Sequence, residues 1–233
     1  DWARGQGEPA RVRFAEARTV LEAALASENR AADPAIAREL VGTLRGEARV
    51  RAQLADSNGA LELLRRAREL ATDATAARDV LLDRIALLRA RGAGEREAIL
   101  AALADLEATS GLEWMRVEVV DLKDGAALGL RASFAPVAYA EGSEQESFEV
   151  PCGLWVLFER AAAQAASGDS AAEFVELHAI LERYGEVEVP TGTAGELATE
   201  RILALLESGS DAGYEPFEAR ARASLERARA DKD

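Results

Sequence analysis

Two single-copy residues are the first candidates for chemistry: Cys152 and His178, the chain's one cysteine and one histidine. A thiolate with an imidazole base forms a nucleophilic pair. It needs hydrogen-bond reach between the two groups and a positive neighbour or helix N-terminus to stabilise the thiolate. Cys152 stands just before a helix expected to start near Leu154. Glu146 and Glu149 oppose it, because nearby negative charge raises a thiol pKa. Cys152 therefore reads as a buried, inert residue at a strand end. His178, beside Leu177, reads as a boundary residue of an amphipathic helix. One cysteine makes no intrachain disulfide and no zinc knuckle, and one histidine builds no multi-histidine metal site.

Glu141, Glu144, Glu146 and Glu149 offer oxygen atoms of the type calcium takes. No Asp-x-Asp-x-Asp-Gly loop accompanies them, and alternation along a strand would split them between two faces, so the run reads as a solvated acidic loop. "TGTAGE", residues 191–196, stands where a helix N-terminus could hold an anion. It lacks a basic residue and reads as a loop and cap. No Gly-x-Gly-x-x-Gly, Walker-type Gly-Lys-Ser/Thr or Gly-x-Ser-x-Gly motif occurs. With 42 acidic residues, carboxylate pairs of glycosidase type arise by chance and none can be singled out. No residue is assigned as catalytic, cofactor-binding or metal-ligating, and no cofactor is expected.

Composition narrows the classes further. Hydrophobic residues make up 48% of 233, much of that share alanine, and aromatics only 5%. Alanine favours helix but buries little surface, so a thin helical core is expected. Lys123 and Lys232 are the only lysines against 26 arginines, which fits a GC-rich genome better than phosphate recognition. The formal charge is −14. Residues 1–108 carry 17 basic and 18 acidic residues, residues 109–215 carry 6 and 20, and the tail from Pro216 carries 5 and 4. The densest basic cluster, Arg65, Arg66 and Arg68, reads as a solvated helix face. An acidic half and no basic stripe argue against nucleic acid.

The elements that must position these residues follow from periodicity. The first half reads as helix throughout. Val12, Phe14, Ala17, Val20, Leu21, Ala24 and Leu25 form one stripe of helical spacing. Asp33 and Pro34 mark the N-cap and first position of the next helix. Gly92 sits at a C-cap position. After "EATSG", residues 107–111, the period changes to two. "LEWMRVEVVDL", "AALGLRASFAPVAYA" and "SFEV" read as a sheet of three or four strands, with a turn at "KDG" (123–125) and a stop at Pro151. Helices return from Leu154. One is capped by Asp169 and buries Phe174, Leu177, Ile180, Leu181 and Tyr184. Another is capped by Thr193 or Thr191, and a last one starts near Pro216. The expected fold is α+β and mostly α: a helical-hairpin array over 1–108, then an acidic α+β domain over 109–233 with its sheet at about 112–150 and its helices at about 154–230.

Within the array, Ala60, Leu64 and Ala67 show a small–large–small spacing, repeated 34 residues later at Gly94, Ala98 and Ala101. Ala17, Leu21 and Ala24 show it once more, 43 residues before Ala60. Leu44 and Ala48, then Leu81, Leu82 and Ile85, would face inward. These roughly 100 residues resemble tetratricopeptide repeats. The resemblance implies stacked helical hairpins that present a surface to a protein partner. A generic antiparallel helical array accounts for the same spacing.

The expected function is non-enzymatic: a protein–protein interaction module, a scaffold or accessory subunit of a larger bacterial assembly, with the acidic half steering toward a basic surface. The alternative is an enzyme or small-ligand binder with a pocket between the sheet and the later helices, drawing on Trp114, Glu118, Tyr139, Trp155 and His178. No run of 18 apolar residues exists, so no transmembrane segment is expected. "DWARGQGEPA" reads as a linker after a cleavage or anchor point. A periplasmic or secreted location is as well supported as a cytoplasmic one, and membrane association would come only through a removed or missing N-terminal anchor.

Overall fold

A computed structural model describes residues 2–27, 33–119, 130–132, 147–189, 192–209, 215 and 217–218. The expectations for "KDG" at 123–125, for the loop at 141–146 and for the last helix beyond Glu218 lie outside the described residues. The fold is mostly α with small antiparallel sheets, and the chain divides into two compact units, the first running to Leu112 and the second starting at Glu113.

The first unit is five helices: α1 (Trp2–Ala26), α2 (Pro34–Gln53), α3 (Ser57–Leu70), α4 (Ala74–Arg91) and α5 (Arg96–Ser110). Each packs antiparallel on the next, and α2 also touches α4. Three of them start on an aspartate whose carboxylate accepts a backbone amide: Asp33 from Ala35, Asp56 from Gly59 and Asp73 from Ala76. These bonds satisfy amides that the first helical turn leaves without partners. Gly92 ends α4 with φ of 101°, a conformation open to glycine and strained for other residues. Leu40, Val41, Leu44 and Ala48 of α2 bury against Ala60, Leu63, Leu64 and Ala67 of α3 and Val80 of α4. The alanines are what lets the helix axes approach. Gly46 does the same for α1, because a Cβ there would enter the ring of Phe14.

Two expectations fail in this unit. The start of the chain is helical from Trp2, where glycine and proline suggested a linker. Burial of Gly7 beneath Leu54 supplies packing that local propensity does not. On α1, Val12 and Val20 are exposed, and Phe14, Leu21 and Leu25 carry the inward face.

The second unit opens with a three-stranded antiparallel sheet in the order β2 (Leu130–Ala132), β1 (Trp114–Val119), β3 (Ser147–Pro151). Val117 stands opposite Ala132 on one side and opposite Phe148 on the other. β3 runs directly into α6 (Cys152–Ala166), two residues earlier than the sequence suggests. Pro151 is at once the last strand residue and the N-cap, and the Cys152 amide donates to the Glu113 carbonyl at 2.7 Å. No Ser, Thr, Asp or Asn cap announces this start.

From Cys152 to Glu159 every residue of α6 is buried. Its first residues, Cys152 to Phe158, are apolar on all sides and belong in a core, while Glu159 is a buried charged residue. α7 (Ser170–Tyr184) packs on it, capped by Asp169, and buries Phe174, Leu177 and Ile180. Leu181 and Tyr184, expected in the same stripe, are only half-buried. A two-residue ladder not foreseen from sequence, β4 (Glu188–Val189) with β5 (Gly192–Thr193), then delivers the chain to α8 (Ala194–Glu207). Thr193 and Glu196 cap α8 reciprocally, each side chain accepting the other's backbone amide.

Candidate functional site

The charged side chains are used differently in the two units. In the first, Glu47 is fully buried on α2 and receives Arg18 of α1 at 2.9 Å and Arg51 at 2.8 Å. Arg18 also faces Glu22, which pairs with Arg66 of α3, and Arg51 reaches Asp56, the cap of α3. One chain of alternating charge therefore joins α1, α2 and α3. A second cluster joins α2 to α4. Arg45 donates to Asp79 and Asp83, and Arg49 donates to Asp83, each contact closing at 2.8 Å. Burial pulls the Arg45 guanidinium toward its neutral form, but Asp83 and Asp79 outweigh it and hold its pKa above the ordinary value. At the edge, the Gly59 amide and then Arg51 hold the Asp56 carboxyl below the usual carboxylate range.

Arg45–Asp79 and Arg49–Asp83 are both separated by 34 residues. The equal spacing shows α2 and α4 running side by side in the same direction. The small-residue copy expected at the same period is displaced. Gly94 and Ala101 are exposed and Ala98 half-buried, while Ile99, Ala102, Leu103 and Leu106 carry the buried face of α5. Sequence reading missed Glu47 and Asp83. The available signal was an acid set inside an apolar stripe, Glu47 beside Ala48 and Asp83 beside Leu82.

In the second unit one buried acid is treated the same way: Glu173 of α7 takes both arms of Arg201 from α8, at 2.5 and 3.2 Å. Most of the other described glutamates of this hairpin face outward, Glu176 being half-buried. Glu182, Glu186, Glu188, Glu196, Glu200 and Glu207 are all exposed. Glu186, Glu196 and Glu200 border a groove of about 440 Å³ with Leu181, Thr193 and Gly195, where the end of α7 meets the start of α8. Leu181 is its one apolar side chain, Thr193 and Thr199 add hydroxyls, and the three glutamates make it anionic. Such a surface suits a cationic side chain with an aliphatic stem, arginine or lysine. "TGTAGE" falls here, and Thr193 and Glu196 are the cap that its sequence suggests.

Cys152 is fully buried, its backbone tied to the strand. His178 is half-buried and lies flat against Phe217, with ring centroids 3.9 Å apart. The structure does not bring these two together. α6 and α7 run antiparallel from the turn at Ser167 to Asp169, so Cys152 lies level with Tyr184 and His178 with Phe158. At 1.5 Å per residue that is an offset of about 9 Å along the helices. The residues of the alternative reading are described only in part. Trp155 is 1% exposed in the core and Trp114 59% exposed, while the side chains of Glu118 and Tyr139 lie outside the described residues. Among the described residues no group of three or more His, Cys, Asp or Glu is placed to hold a metal, and no helix is long and apolar enough to cross a membrane. Arg65 pairs with Glu62 and Glu69, Arg66 with Glu22, and Arg68 with Asp105 of α5, so all three arginines of the densest basic cluster are engaged by acids. No protein-family model matches the chain, and no match was found among curated proteins or among solved structures.

Proposed function

We propose that this protein is a non-enzymatic interaction module, a scaffold or accessory subunit of a larger bacterial assembly, whose acidic second unit receives a basic protein surface. The observation that carries the reading is the row of exposed glutamates along α7, β4 and α8 around a groove of side-chain size. Charge arranged this way steers a partner of opposite sign and fixes its orientation. In the same reading the first unit is a tetratricopeptide-like array. The two ion pairs at a 34-residue step support repetition of that length, and the helical face completed by α2 and α4 offers a second surface.

The test is binding of an arginine-rich peptide, followed by fluorescence anisotropy over a salt series. Exposed ion pairs contribute about 0.2–1 kcal/mol each, so the triple substitution Glu182→Gln, Glu186→Gln and Glu200→Gln is expected to weaken binding about tenfold. Added salt should weaken the native protein's binding as charges become screened. Binding that ignores both salt and the three substitutions would remove the acidic surface from the proposal.

A further inference from the structure

We draw no further inference here: the strongest candidate, the glutamate-rimmed groove between the end of α7 and the first turn of α8, belongs to the surface already described, and nothing in the structure beyond its acidic rim and a helix N-terminus points to a particular ligand.

Discussion

The two units hold themselves together by different means. The first spends its carboxylates inward: Glu47 and Asp83 are buried between helices, each clasped by two guanidinium groups. Its acids and bases nearly cancel, partly in these interhelical clusters and partly in exposed pairs such as Arg65 with Glu62. The second unit is held by the apolar start of α6, with Trp155 and Phe158 of α6 and Phe174 of α7 among the buried rings, and it leaves most of its described glutamates outside. A charge count alone would call one half neutral and the other acidic. The structure shows that charge is architecture in the first and surface in the second. Buried pairs add little over a well-packed apolar substitute, yet breaking one side is costly. Register is thus guarded by arginine in the first unit and by ring packing in the second.

Truncating the apolar anchor tests the second half of that contrast most severely. Trp155→Ala removes a fully packed indole and should cost about 3–5 kcal/mol, read as a fall in the denaturation midpoint. A loss under about 1 kcal/mol, the range of a surface substitution, would mean that α6 is not the anchor. For the first unit, Arg18→Leu with Arg51→Leu strands the Glu47 carboxylate and should cost about 3–5 kcal/mol. Glu47→Leu should cost less, because both arginines are 24% exposed and can turn to water. Equal losses would show that packing, and not the stranded charge, sets the penalty.

Smaller effects sharpen the contrast. Asp56→Ala should destabilise the first unit by about 0.5–2 kcal/mol near neutral pH. The native Asp56 pKa is depressed, so this contribution is present above the unfolded carboxylate value of about 3.9 and is lost as pH falls through the lower folded value. Urea titrations of the native protein and the variant should therefore converge in acid, and a constant gap would refute the assignment. The smallest signal comes from Cys152, whose thiol should react slowly with a disulfide reagent at neutral pH and faster in Trp155→Ala. Rapid labelling of the native protein would place that thiol at the surface.

Much of the architecture is legible in the sequence where one residue type has one physical job. Asp33 with Pro34, Asp169 and Thr193 act as caps, and the switch to alternation after Gly111 marks the sheet. Alanine is what blurs the rest. On α1 and α5, alanines fill several faces at once, so a stripe through Val12 and Val20, or through Ala98 and Ala101, reads as well as the true one. The β4–β5 ladder is too short to show a period. The start of α6 was missed because its first amide is satisfied by the Glu113 carbonyl across the sheet, a partner far away in sequence. The acidic character of the surface was visible from composition. The groove was not, because it forms only when α8 folds back beside the end of α7.

The paired bonds from Arg45 to Asp79 and from Arg49 to Asp83 have a consequence for how the array tolerates changes in length. Each helix carries its partners one turn apart, Arg45 with Arg49 and Asp79 with Asp83, so a slip of a whole turn between α2 and α4 would leave one guanidinium facing a carboxylate and strand the other. A change of one or two residues inside either helix would instead rotate an acid or a base off the shared face and leave the buried Asp83 without its partners. Length can therefore change in the loops that flank α3, and not within α2 or α4.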